Sequence, residues 1–179
     1  MKKQLFVIPV ALFLCLAVGC QDRAAVSELE GFQAQAKAEV DNTSLVKRYI
    51  ETINAGNYDA MGDFLSPEYS IYSPSGHPEP TSREKLIENY KGVAQAFSEF
   101  KWDVVDIMAA GDKVICRMKV KGTTKAGVPG LPDAPTQIEI GMITIMRFEN
   151  GKIAEEWQED DQLGFARQLG MELKPKEEK

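Results

Sequence analysis

Four runs between Phe100 and Asp161 read as β-strands, and the short turns between them leave the chain few ways to fold. Lys113 to Thr123 alternates apolar and charged residues, the period-two pattern of a half-buried strand. Phe100 to Ala109 precedes it across the turn Gly111-Asp112. Thr136 to Phe148 and Lys152 to Asp161 flank the turn Glu149-Asn150-Gly151. Turns this short join antiparallel neighbours. Only the Gly/Pro-rich stretch from Lys125 to Pro135 is long enough to be a true loop.

The preceding segment has a different period. Leu45, Val46, Tyr49, Ile50 and Ile53 recur at helical spacing, and Asn54-Ala55-Gly56-Asn57 supplies the stop. A second helix is predicted from Asp59 to Leu65, ending before Pro67. Tyr69 to Ser73 reads as a short strand, and Pro74 to Pro80 as a loop. Thr81 and Glu84 have capping-box spacing for a third helix, with Leu86, Ile87, Tyr90, Val93, Ala94 and Phe97 as its apolar positions. The sum is an α+β domain: three N-terminal helices packed on a curved antiparallel sheet, with room for a cavity between them.

Residues 1–19 are read separately. Lys2 and Lys3 lead an apolar run from Leu5 to Val18, too short and wrongly flanked for a stable membrane span. Ala17-Val18-Gly19-Cys20 resembles a bacterial lipobox, in which the cysteine is lipidated and becomes the new N-terminus. An ordinary signal peptide with a chance cysteine is the alternative. The reading is a leader over 1–19, a polar tether over 20–41, a domain over 42–171 and a charged tail over 172–179. It places the protein in the bacterial cell envelope, tied to the membrane by acyl chains at Cys20. Loss of Lys2 and Lys3 with the leader would take the formal charge from −6 to −8. A surface that acidic gives no electrostatic reason to bind nucleic acid or anionic lipid heads. Of the three cysteines, Cys15 would leave with the leader and Cys20 would carry lipid. Cys116, alternating with charged residues, is then a small core residue without a disulfide partner.

Tyr49-Ile50-Glu51-Thr52-Ile53-Asn54-Ala55-Gly56-Asn57 and the ending Arg147-Phe148-Glu149-Asn150-Gly151-Lys152-Ile153-Ala154-Glu155-Glu156-Trp157 carry a resemblance. So do Gly130-Leu131-Pro132, Asp161-Gln162-Leu163-Gly164 and Gln168-Leu169-Gly170. Over about residues 44–170 the chain resembles the SnoaL-like polyketide cyclase family. The resemblance implies a cone-shaped, cystatin-like fold related to nuclear transport factor two, with a pocket and frequent homodimers packed through the sheet. Family cyclases close polyketide rings by an aldol step without metal or cofactor, using an aspartate as general acid/base. That chemistry needs a carboxylate whose pKa is raised by an apolar pocket. Here the aspartate position after the tryptophan holds Gln158, and the family's two histidine positions fall on Thr144 and Tyr72. An amide cannot exchange a proton at neutral pH, so whether the chain is an enzyme stays open.

Register decides which residues share a pocket. If Asn150-Gly151 is a two-residue turn, Thr144 pairs with Trp157 and Gln158 faces away from Thr144. If Gly151 makes a bulge, Met142 pairs with Gln158, and Thr144 and Gln158 share a face. The shared site implied by the resemblance favours the second arrangement. The expected ligand-contacting set is Tyr72, Trp102, Met142, Thr144, Trp157 and Gln158. Trp102 and Trp157 serve equally well as core. Met108, Met118, Met142 and Met146 could line a pocket, fill the core or form a dimer face.

If the protein is an enzyme, Asp106, Glu139, Glu156 and Asp161 are the candidate carboxylates, with Glu156 and Asp161 the catalytic candidates of the site set. Asp161 also suits the N-cap of a last helix, Leu163 to Gly170. The cluster Glu155, Glu156, Glu159, Asp160, Asp161 reads as a solvated strand end rather than a calcium site. His77, the sole histidine, reads as an exposed loop residue, and no metal or cofactor is expected. Three functions follow: a lipid-anchored protein binding a small, mostly apolar molecule; a cofactor-independent cyclase, isomerase or hydrolase; or a structural role, with the sheet as a dimer surface and no ligand.

Overall fold

Alternation and turn chemistry produce the hairpins. In the computed structural model, β3 (Phe97–Ala110) and β4 (Lys113–Thr124) meet across Gly111-Asp112, with Gly111 at φ +61°. The turn before Lys113 leaves room for only two residues, so a left-handed residue is needed there. β5 (Gln137–Glu149) and β6 (Lys152–Asp160) meet across Asn150 and Gly151, at φ 51° and 71°. Two positive φ values in succession make a turn whose twist matches the flanking strands, and Asn-Gly is the pair that tolerates them best.

The structure describes the backbone of residues 7–172 and 174, and side chains of 23–172 and 174. The leader and lipobox readings, and the tail beyond residue 174, lie outside the described side chains. Residues 1–38 form one compact unit and 39–179 another. The first is helical over its described part and presents Val26, Leu29 and Phe32 to solvent. Within the second unit, the C-terminal turns of the helix α1 (Val7–Asn54) supply Val46, Tyr49, Ile50 and Ile53 to the core. The segment read as a tether is therefore helical from residue 21 to residue 41.

The second unit is an α+β fold with a curved, unclosed sheet. Its six strands run in the order β2-β1-β6-β5-β4-β3, where β1 is Leu65–Tyr72 and β2 is Thr81–Ser82. β1 lies parallel to β6, so the sheet is mixed rather than purely antiparallel. Two elements also differ from expectation. Residues Tyr58–Asp63 form a short 3-10 helix, not an α-helix reaching Leu65, because Leu65 is drawn into β1 opposite Ile153. The helix α2 (Arg83–Ala96) is capped by Ser82, whose hydroxyl accepts from the Lys85 N–H. The cap falls one residue later than the Thr81/Glu84 spacing suggested, with Thr81 and Ser82 both paired to β1. A last helix, α3 (Gln162–Gln168), follows β6.

The inner face of the sheet carries the core. Val114, Cys116 and Met118 of β4, Met142 and Met146 of β5, and Tyr69 and Ile71 of β1 are all buried there with the α1 residues. Each large apolar side chain taken out of water contributes about 1.5–3 kcal/mol, which is why strict alternation locks each strand's facing. Met108 falls on the outer face and is 59 % exposed.

Candidate functional site

Register around the β5–β6 turn places the chemistry. Glu149 faces Lys152 and Phe148 faces Ile153, but Arg147 faces Glu155. Ala154 is the extra residue of a bulge. The turn itself is a two-residue turn, and the bulge lies three residues further on, so Thr144 sits directly opposite Gln158. Neither expected pairing occurs, yet the shared face does. Past the bulge, Glu156, Gln158 and Asp160 point inward, opposite Met146, Thr144 and Met142. Glu155, Trp157 and Glu159 point outward.

Glu156 is the one acid of that ending that is fully enclosed, at 1 % exposure. Tyr69 Oη donates to its Oε2 at 2.7 Å, and Thr144 Oγ1 donates to its Oε1 at 2.6 Å. Burial pushes its carboxyl above the usual carboxylate range, against the pull of the two hydroxyl donors. Burial first, and the Glu156 charge second, raise Tyr49 and Tyr69, and push the Cys116 thiol up to about 12. Two protonated hydroxyls, of Tyr69 and Thr144, therefore donate to one acid, and the Cys116 thiol in the same core stays protonated.

Next to this network lies a cavity of about 240 Å³ between α2, the inner sheet face and α3. Five rings wall it: Tyr90, Phe97, Phe100, Trp102 and Phe165. They touch in series, with centroid separations of 5.8 Å for Tyr90–Trp102, 6.4 Å for Tyr90–Phe100, 6.5 Å for Phe97–Phe100 and 6.3 Å for Phe97–Phe165. Aliphatic side chains and Met142 complete the wall, and Gln158 and Asp160 are its hydrogen-bonding groups from β6. Gln158 Nε2 donates to Ser73 Oγ at 3.2 Å, which leaves a second N–H and the amide oxygen. Trp102 is anchored through its backbone: its N–H donates to Asn54 Oδ1 at 2.7 Å, and Asn54 Nδ2 donates to its carbonyl at 3.0 Å. Helix α3 carries Phe165 and is tied by the Gln168 side-chain amide, which receives from Glu139 N and donates to Glu139 O.

Of the expected ligand-contacting residues, Trp102, Met142 and Gln158 line the cavity. Thr144 shares their face but is fully buried against Glu156. Tyr72 and Trp157 stand elsewhere: they pair across β1 and β6 on the outer face and stack at 6.4 Å, with planes 8° apart. The bulge at Ala154 turns Trp157 outward, and Tyr72 shares that face as its partner on β1. Among the candidate carboxylates, Asp106 pairs with Arg117, and Glu139 with Lys119 and Lys121, all on the outer face. Asp161 caps α3, its Oδ1 accepting from Gly164 N at 2.7 Å. His77 is exposed, its Nδ1 against the Glu79 backbone. Met118 and Met146 are core.

Asp160, grouped above with a solvated strand end, instead lines the cavity. The spacing Glu156, Gln158, Asp160 on one strand face was the available signal. The rings of α2, β3 and α3 had no such signal, because their convergence is tertiary. Among the described residues no group of three or more His, Cys, Asp or Glu could hold a metal ion, and no helix is long and apolar enough to cross a membrane.

Comparison with known proteins adds an independent line. The family profile described as SnoaL-like polyketide cyclase matches residues 43–169. The aklanonic acid methyl ester cyclase DnrD of Streptomyces peucetius is 27% identical over 128 residues, covering 70% of this chain and 88% of that one. The aklanonic acid methyl ester cyclase AcmA of Streptomyces galilaeus is 26% identical over 131 residues, covering 73% and 91%. Among solved structures, TsrD from Streptomyces laurentii superposes with a TM-score of 0.63 at 27% identity, covering 73% of this chain and 96% of that one. A SnoaL-like polyketide cyclase from Agrobacterium tumefaciens, 17% identical with a TM-score of 0.59 over 72% and 98% of the two chains, shares the fold.

Proposed function

Because this chain belongs to the SnoaL-like polyketide cyclase family, we propose that its cavity is a binding site for a small, mostly apolar molecule, in a protein exported and lipid-anchored at Cys20 in the bacterial envelope. The observation that carries the binding reading is the cavity wall: five rings with Gln158 and Asp160 as the hydrogen-bonding groups on β6. Ligand sites have this composition, an apolar body with a few fixed polar groups that orient what enters. Gln158 in place of the cyclase acid favours binding over the family's ring closure.

Thermal-shift screening of the full chain with flat aromatic and polyketide-like compounds tests the binding reading. Stabilisation by some members of the set, lost on Trp102→Ala, is the expected result. Uniform failure across the set overturns it. For the anchor, labelling with a radioactive fatty acid is expected to mark the wild type and not Cys20→Ala. Label on both, or on neither, removes the anchor.

A second reading, catalysis without a cofactor, is favoured by one observation: Asp160 stands in the cavity wall two residues from Gln158. In that reading the Asp160 carboxylate takes a proton from a carbon next to a carbonyl. The C–H electron pair forms a C=C bond to the carbonyl carbon and the C=O π pair moves onto the oxygen, giving an enolate whose oxygen receives a hydrogen bond from the second Gln158 N–H. Turnover of an activated ketone by the wild type, lost in Asp160→Asn at unchanged stability, would support it. Equal turnover in the variant would remove Asp160 from the role. Homodimerisation through the outer sheet face is part of the same proposal, and light scattering on the full chain decides it.

A further inference from the structure

The cavity's electrostatics are one-sided. Among the described residues no Lys, Arg or His lines it, while Asp160 contributes a carboxylate and five aromatic rings form much of its wall. A ring face carries the negative part of the ring quadrupole, so several rings around one space attract positive charge. Gln158 adds an amide oxygen, a further acceptor for an N–H donor. A ligand carboxylate entering here would give up its hydration beside Asp160 and meet no cation in exchange. An ammonium group loses hydration too, but gains a carboxylate and ring faces together. The chain's formal charge of −6 acts in the same direction at longer range.

We propose that this cavity selects an organic ammonium ion, whose apolar body packs among the rings and whose cationic head lies against Asp160. The inference rests on the cavity reading given above and names its ligand class. It departs from a site built for acidic ligands, because the wall offers a carboxylate no cationic partner.

Three probes with one apolar body separate the possibilities: naphthylmethyl trimethylammonium, naphthalene methanol and naphthylacetate. Calorimetric titration of the full chain at moderate salt measures all three. The ammonium is expected to bind at least about tenfold more tightly than either of the others. In Asp160→Asn, most of that preference is expected to vanish while the alcohol keeps its affinity. Phe165→Leu is expected to weaken the ammonium more than the alcohol, because it removes a π-face and keeps apolar bulk. Equal affinity for ammonium and alcohol, or tighter binding of the carboxylate, overturns the proposal and leaves the cavity reading standing. A preference for ammonium that persists in Asp160→Asn and in Phe165→Leu assigns it to the acidic surface and also overturns the proposal. Absence of binding by all three, where flat aromatic compounds stabilise the protein, refutes the ammonium assignment alone; absence of both refutes the site itself.

Discussion

Replacing Glu156 with glutamine should reveal how a lone acid is held in the core. Glu156 is 1 % exposed and is contacted by two hydroxyl donors, Tyr69 Oη at 2.7 Å and Thr144 Oγ1 at 2.6 Å. Among the described residues neither hydrogen-bond partner is a cation. Burial raises its folded pKa above the unfolded value. The sign follows from linkage: the folded state binds the proton more tightly, so the stability tied to the acid form is complete below the unfolded pKa. It is lost as pH rises through the folded value. Each tenfold weakening of acidity on folding costs about 1.4 kcal/mol once the group is ionised. Glutamine matches the shape of the neutral acid and carries no charge to bury. Urea unfolding of wild type and Glu156→Gln, from about pH 4.5 to about pH 8, isolates this group because other titrations cancel in the difference. The wild type should lose stability relative to the variant as pH rises, and the two should lie closest at the acid end. Glu156→Ala should cost about 2–5 kcal/mol at the acid end, because it leaves a cavity and two buried hydroxyls without an acceptor, and that cost should shrink as pH rises by the amount the wild type loses against Glu156→Gln. A difference between wild type and Glu156→Gln that is flat with pH, or that favours the wild type increasingly as pH rises, would refute the reasoning.

Three further outcomes are expected. Asp161→Ala removes the cap on α3 and should cost about 1 kcal/mol in urea unfolding, with faster proteolysis at the chain's end. Cys116, whose thiol is pushed up to about 12, should resist alkylation at mildly alkaline pH in the native protein and react quickly once unfolded, read by mass spectrometry of its peptide. Gly122→Val should destabilise by about 1–3 kcal/mol and weaken ligand binding, because a Cβ at Gly122 already lies 3.4 Å from the Phe97 ring and 3.6 Å from Phe100; unchanged stability and affinity would show that the rings can yield.

Much of the fold was legible locally, for reasons visible in particular residues. Asn150-Gly151 specifies its turn because few other pairs accept two positive φ values. The Lys113–Thr124 alternation sets which side of β4 is buried. Asp161 was readable as a cap because the cap bond spans only three residues, to Gly164. The misreadings lie where a distant strand intervened. Leu65 left the expected helix because Ile153 offered it a ladder partner.

The candidate site divides the same way. Local chemistry was enough for the strands, their turns and the alternation that puts Glu156, Gln158 and Asp160 on one face and Trp157 on the other. Those follow from backbone geometry within a few residues. The tertiary structure alone decided what that face meets. The bulge at Ala154 set Thr144 against Gln158, the parallel pairing of β1 brought Tyr69 to Glu156, and α2 and α3 closed rings over Asp160. Five acids lie within seven residues there, and composition makes them look alike. They differ because desolvation acts on a side chain's surroundings, and the surroundings of Glu156 are assembled from strands up to 87 residues away.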